Sequence, residues 1–201
     1  FLFMVGTAMP FSFEKYLANP DKWAIYRKIT KRFVILFILG AVVQGNLLSL
    51  DPLRLRLYSN TLQAIAVGYL ISAILLLHLS RKGQLVVTFL LLAGYWALLT
   101  FLGDFTPDGN FAEAVDRAIL GRFRDGVSYA EDGSWSFSDS YRYTWVLTSM
   151  VFGVTTMMGV FAGQIMKYGK DKKKNCQLLF VIGVVLLLSA WLLSFQTPII
   201  K

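Results

Sequence analysis

The feature that most constrains this chain is a series of long apolar segments separated by short polar connections. A bilayer core about 30 Å thick requires roughly 20 mostly apolar residues in a helix. Four segments meet that requirement, a fifth is less apolar but uncharged, and the first is shorter. The pattern predicts an all-α, polytopic transmembrane helix bundle with about six spans in the lipid bilayer. In chain order the segments are 1–13, 33–48, 60–79, 85–102, 144–166 and 178–195.

The first segment is apolar from Phe1 onward and lacks the basic region that begins a secretory signal. At about 1.5 Å per residue it spans only roughly 20 Å. We therefore expect residues 1–201 to be a single transmembrane domain that belongs to a longer chain, beginning inside a helix.

Basic residues alternate between the connections. Most of the 20 Lys and Arg residues lie in 14–32, 80–84 and 167–177. The positive-inside rule predicts that these three connections are cytoplasmic. The net charge of +8 does not indicate a nucleic-acid partner, because the bases form short runs between apolar stretches.

The connection 103–143 is the only long one, and we expect it to be an extracytoplasmic loop. Asn110 can cap a helix, Glu113 completes a capping box three residues later, and Gly121 can end the helix. The sequence therefore predicts a short amphipathic helix near Phe111–Leu120 on the outer surface, followed by a lid over the outer mouth. Its apolar face is Phe111, Val115, Ala118 and Ile119.

Polar residues gather at the outer ends of the second and third apolar segments. Asn60 and Gln63 are three residues apart and share a helix face, while Asn46 and Arg54 lie just before them. Converging amides and guanidinium groups suit a polar ligand such as a sugar or an anion. The alternative is that these residues lie only where helix ends meet water.

Motifs of soluble enzymes are absent from the sequence. His78 is the only histidine, which excludes a multi-histidine metal site within this chain, and no metal is expected. His78 is a proton carrier or acyl acceptor in one interpretation and an interfacial histidine in the other. Gly159 and Gly163 form a small-xxx-small pair, which favours close helix packing.

Several segments together resemble one family. They are FLFMVGTAMPFSF at 1–13, LYSNTLQAIAVGYL at 57–70, GNFAEAVDRAILG at 109–121 and TTMMGVFAGQIM at 155–166. Their order is similar to that of bacterial membrane acyltransferases related to heparan-alpha-glucosaminide N-acetyltransferase. The resemblance covers essentially the whole chain and implies a multi-pass protein of the bacterial cytoplasmic (inner) membrane.

That resemblance also implies a chemistry. An acetyl group would move from cytoplasmic acetyl-CoA to an extracytoplasmic amino sugar or glycan. Asn60, Gln63 and Asp116 match motif positions and are expected to bind substrate. The chain departs from the family at Gln63-Ala64, where relatives often carry Gln-Arg, and it lacks the family's proposed catalytic histidine, which lies upstream of the segment that matches Phe1.

The rival function is a transporter or flippase for a small polar or anionic solute, which would use the same outer amides and guanidinium groups. A structural subunit of a larger complex is a third hypothesis. Paired discontinuous helices in two related halves would favour a transporter, and the sequence has no such halves. A homo-oligomer is compatible with each of these functions.

Overall fold

The structure is a computed structural model that describes residues 1–17, 23–51, 54–104, 106, 109–130, 132–138 and 143–195. The chain is mostly helical. Its α-helices within these residues are α1 (Leu2–Leu17), α2 (Trp23–Val43), α3 (Thr61–His78), α4 (Arg81–Leu102), α5 (Phe111–Leu120), α6 (Ser149–Tyr168) and α7 (Lys172–Leu193). Four of these helices, namely α3, α4, α6 and α7, are long and apolar enough to cross a membrane.

The second apolar segment differs from its predicted bounds. Instead of covering 33–48, α2 begins at Trp23 and ends at Val43. Its first half carries basic residues that the sequence pattern assigned to a connecting loop, and only its second half is continuously apolar. Lys and Arg are good helix formers, so this basic stretch continues the helix rather than interrupting it. The connections predicted at 80–84 and 167–177 are likewise shortened, because α4 begins at Arg81 and α7 at Lys172.

An inner layer of α1, α3 and α6 contains most of the core. Met9 and Phe13 of α1, Tyr69 of α3, and Met157 and Val160 of α6 are almost completely buried. The Phe13 and Tyr69 rings meet edge to face with their centroids 6.2 Å apart. α2 packs along α3 and adds Ile25 and Ile29 to the same core.

The contact between α1 and α6 depends on glycine. A Cβ atom at Gly159 would overlap the carbonyl oxygen of Phe3, and one at Gly163 would overlap that of Thr7. From the other side, a Cβ at Gly6 would overlap the carbonyl of Thr156. The packing role predicted for Gly159 and Gly163 is thus confirmed, since the two backbones touch where side chains are missing.

The outer layer consists of α4 and α7. Only Gln84 and Thr88 of α4 are buried, and α7 has no buried residue. A buried amide pair joins α4 to the inner layer, because Gln164 Nε2 of α6 donates to Gln84 Oε1 at 3.0 Å. Near the same end, Lys167 Nζ donates to Pro10 O at 2.7 Å and thus links α6 to α1.

The connection between α4 and α6 is a folded cap. It contains α5, a 3-10 turn over Gly121–Phe123, and two antiparallel strands, β1 (Val127–Tyr129) and β2 (Trp135–Phe137). Val127 pairs with Phe137 and Tyr129 with Trp135. Gly121 ends α5 with a positive φ of 51°, as expected for a glycine at a helix C-terminus. The hairpin was not predicted, and the extracytoplasmic position of the cap remains a prediction.

Candidate functional site

A buried carboxylate of α5 attaches the cap to the segment that leads into α6. Asp116 is fully buried, and its two carboxylate oxygens accept hydrogen bonds from the backbone N–H groups of Trp145 (2.7 Å) and Val146 (2.9 Å). These two residues precede α6, so Asp116 joins the cap to the entrance of the inner layer. Burial raises the pKa of the Asp116 carboxyl, while the two backbone donors and the Arg124 charge oppose that rise.

A second carboxylate on α5 organises the neighbouring arginines. Glu113 Oε1 lies 2.6 Å from Arg117 Nη2 and 3.4 Å from Arg124 Nη2. Asn110 caps the helix as predicted, accepting from Ala112 N at 2.9 Å. The Glu113 side chain is engaged by arginines rather than serving only the capping box.

The buried side of α5 is mixed in polarity. It contains the two acids together with Ala112 and Leu120, whereas Ile119 on the predicted apolar face is 64% exposed. The predicted apolar face is therefore only partly packed against the protein, since Phe111 is half-buried and Ile119 is exposed.

The loop between α2 and α3 is bound directly to the cap. Arg56 Nη1 lies 2.7 Å from Asp125 Oδ1, and Asp125 is almost completely buried. One residue later, Leu57 N donates to Phe123 O at 3.0 Å. Arg56 N also donates to Gly45 O at 2.9 Å, which connects the end of α2 to the same junction.

A cavity of about 330 Å³ opens where these two loops meet. Its volume lies at the lower end of the range of small-molecule sites, about 300–1,000 Å³. Four of its seven lining residues are arginines, two from each loop, and none is acidic. The lining is Asn46, Arg54, Arg56, Arg122, Arg124, Val127 and Tyr129.

The arginines differ in how strongly their positions are fixed. Arg124 is fully buried at the cavity wall and paired with Glu113, and Arg56 is half-buried and paired with Asp125. Arg54 is 74% exposed and lies 3.4 Å from Asp51, which is itself partly exposed. Arg122 is exposed and its guanidinium carbon lies 4.7 Å from the centroid of the Phe123 ring. Arg56 and Arg124 are each held by a buried carboxylate, so the two exposed guanidinium groups, Arg54 and Arg122, are the ones best placed to meet an oxyanion.

Asn46 and Arg54, both predicted site residues, meet at this cavity. Asn46 Nδ2 donates to Arg54 O at 3.1 Å, which closes the loop across its base. Asn46 has a left-handed backbone with a φ of 56°, and Leu50 has a φ of 51°. A left-handed leucine costs about 1–2 kcal/mol, so the contacts of this loop hold it in an uncommon shape.

The structure does not place Asn60 and Gln63 in the lining of this cavity. Asn60 is the N-cap of α3, accepting from Gln63 N, and its Nδ2 donates to Gly40 O at 2.7 Å. Gln63 is fully buried, accepts from Ser59 N at 2.9 Å and donates to Leu57 O at 2.7 Å. Backbone groups therefore satisfy both amides, because a helix end packed against α2 leaves them no access to water.

His78 lies near the other end of α3. Its Nε2 is 2.9 Å from the Tyr26 hydroxyl, and its Nδ1 is 2.9 Å from Ile74 O. The Nδ1 contact lies within α3, whereas the Nε2 contact joins α3 to α2. Among the described residues, no group of three or more His, Cys, Asp or Glu side chains could hold a metal ion.

Sequence reasoning overlooked the arginines that the cap contributes to the cavity. Arg122 and Arg124 stand two apart directly after the predicted end of α5, with the same spacing as Arg54 and Arg56. That repeated Arg-x-Arg pattern was a signal, but only the folded cap shows that the two pairs meet. Compared with models of protein families and with curated proteins, the sequence matches none.

Proposed function

We propose that this chain is the acceptor-holding part of a transmembrane acyltransferase, which moves an acetyl group from cytoplasmic acetyl-CoA to an extracytoplasmic sugar or glycan. The observation that carries the proposal is the arginine-lined cavity between the α2–α3 loop and the cap. Its volume suits a sugar-sized group, and its guanidinium groups suit an acceptor that also carries negative charge. The family resemblance supplies the acyl-transfer chemistry.

The distribution of basic residues supports the same arrangement. The cavity joins the C-terminal end of α2 to the N-terminal end of α3, whereas the lysines at the start of α7 lie at the opposite ends of the helices. In the predicted orientation, the cavity faces outward and the lysine run faces the cytoplasmic donor, whose phosphates are anionic.

A transfer assay in vesicles tests the proposal. Full-length protein would be reconstituted with labelled acetyl-CoA on the cytoplasmic side and candidate amino sugars on the other. We expect label to reach the sugar, and Arg122→Gln to raise the acceptor KM about tenfold, the loss expected for one charge-assisted hydrogen bond. Lys82→Gln is the matched control, since it removes an exposed cation at the start of α4, far from the cavity, and should leave the acceptor KM unchanged.

The result also separates this proposal from its rival. If no label is transferred, and an unmodified anionic solute instead crosses the vesicle membrane in a manner that depends on Arg122, the protein is a transporter. No specific contact among the described residues favours that second function over the first.

A further inference from the structure

An exposed apolar strip on α2 runs toward the end of the helix that adjoins the arginine cavity. Ile35, Leu39 and Val43 follow one another at intervals of four residues and so lie on one face of the helix. Their exposed fractions are 46%, 47% and 72%. This face remains uncovered up to the last residue of α2.

The strip and the cavity are joined covalently and by a hydrogen bond. Asn46, a cavity residue, follows Val43 by three positions. The Gly45 carbonyl between them accepts from Arg56 N at 2.9 Å. The end of the apolar strip therefore lies next to the backbone of Arg56, whose side chain lines the cavity.

The α2–α3 loop extends the apolar surface beyond the helix. Leu48 is 75% exposed and Leu50 is 89% exposed, although both lie in the sequence between the cavity residues Asn46 and Arg54. Leaving such side chains in water costs about 25 cal/mol per Å² of apolar surface. α3, at whose N-terminal end the loop lies, is long and apolar enough to cross a membrane. The end of such a helix is where hydrocarbon gives way to headgroups.

We infer that the cavity binds the phosphate of a membrane lipid, whose acyl chains lie along Ile35, Leu39 and Val43. A lipid phosphate has both properties that the surface requires, namely an oxyanion for Arg54 and Arg122 and a hydrocarbon chain for the strip beside them. The lipid site itself does not depend on the proposed function. Only the further step, in which the acceptor is a sugar attached to such a lipid, rests on that function.

Binding of defined lipids to the full-length protein in detergent tests this inference by native mass spectrometry. The probes are phosphatidylglycerol and a diacylglycerol with the same acyl chains but no phosphate. We expect phosphatidylglycerol to bind at least about tenfold more tightly, because a charged hydrogen bond contributes about 1.5–3 kcal/mol. The inference would be overturned by equal binding of the two lipids.

Variants locate the headgroup. The double variant Arg54→Gln, Arg122→Gln should bind phosphatidylglycerol at least about tenfold more weakly. Both side chains are exposed, so the fold should persist, and circular dichroism would verify it. The matched control Arg27→Gln, Lys82→Gln removes the same charge near the starts of α2 and α4 and should change binding less than twofold. Equal losses in the two double variants would show that the lipid is attracted only by the overall positive charge, and the proposed headgroup site would be wrong.

Competition separates a lipid from a soluble anion. Inorganic phosphate or glucuronate in hundredfold excess should not displace phosphatidylglycerol, and Leu39→Ser, Val43→Ser should weaken it severalfold. Leu187→Ser on the exposed face of α7 is the control and should have no effect. If the soluble anions displace the lipid and the strip variant binds normally, the cavity is a site for a soluble oxyanion and the lipid inference is wrong. Lipid binding as expected, without acetyl transfer in vesicles, would leave the site standing and remove the proposed function.

Discussion

Two neighbouring helices, α6 and α7, are both long and apolar enough to cross a membrane, yet they occupy different environments. Half of the most apolar stretch of α6 is buried inside the protein, whereas none of that of α7 is. α7 is nevertheless the more apolar, with a mean hydropathy of 2.5 against 1.4. Hydropathy therefore measures how well a helix tolerates lipid and does not predict which helix lies inside the bundle.

Small residues explain the difference. Along α6, Gly153, Gly159 and Gly163 each face a neighbouring helix at a distance that leaves no room for a Cβ atom. The single glycine of α7, Gly183, has open space around it. In lipid, apolar surface gives no net drive for helix association, so close backbone approach and van der Waals contact determine which helices pack.

The largest effect should come from filling the glycine contact of α6. Gly159→Leu places a side chain where the Phe3 carbonyl lies, so α1 must separate from α6. The cost should reach the upper end of the range for overpacked cores, about 3 kcal/mol. Thermal unfolding in detergent would measure the loss. Gly183→Leu on α7 is the matched control and should leave the unfolding temperature unchanged. An equal effect of both substitutions would contradict the explanation that the glycine contacts of α6 hold it inside the bundle.

A smaller effect should come from a buried polar group of the inner layer. Gln63→Leu on α3 leaves Ser59 N and Leu57 O without their amide partner, which should lower the free energy of unfolding by about 2–3 kcal/mol. Ser189→Leu on α7 removes a hydroxyl that bonds only to Val185 O in its own helix, and should change stability by less than about 0.5 kcal/mol. Chemical denaturation would compare them. A stable Gln63→Leu protein with impaired ligand binding would instead return Gln63 to the site predicted from the sequence.

The smallest effect concerns Tyr58, whose hydroxyl lies 2.9 Å from Ser149 Oγ at the start of α6. Burial raises the pKa of Tyr58 from 10.0 to about 12. The folded protein thus keeps this proton to higher pH than the unfolded chain. The stabilisation that results is fully present below pH 10 and is lost as the pH rises through about 12.

An alkaline absorbance titration would follow this ionisation. Tyr58→Phe should remove one late-ionising group and cost no more than about 1 kcal/mol at neutral pH. Tyr143→Phe changes an exposed ring and is the control, so the ionisation of Tyr58 at high pH should remain in the curve. A titration curve unchanged by Tyr58→Phe would show that burial does not hold this proton.

The sequence predicted most of the helical architecture because its signals are local. Apolar length predicted helices that could span a membrane, and four of them meet that criterion. Asn110 and Gly121 marked both ends of α5, since a side-chain cap and a positive φ at a terminal glycine involve only neighbouring residues. The predicted start of the second segment was wrong because a basic stretch without glycine or proline can continue a helix.

The roles of the polar residues were decided by the tertiary structure. Asn60 and Gln63 share a helix face, as their spacing requires, but α2 covers that face and turns both amides toward backbone groups. Arg122 and Arg124 lie more than 60 positions after Arg54 and Arg56, and they line one cavity only because the cap folds over the α2–α3 loop. Spacing along a helix sets which side chains are neighbours, whereas the surface packed against them determines whether they meet a ligand, lipid or the protein's own backbone.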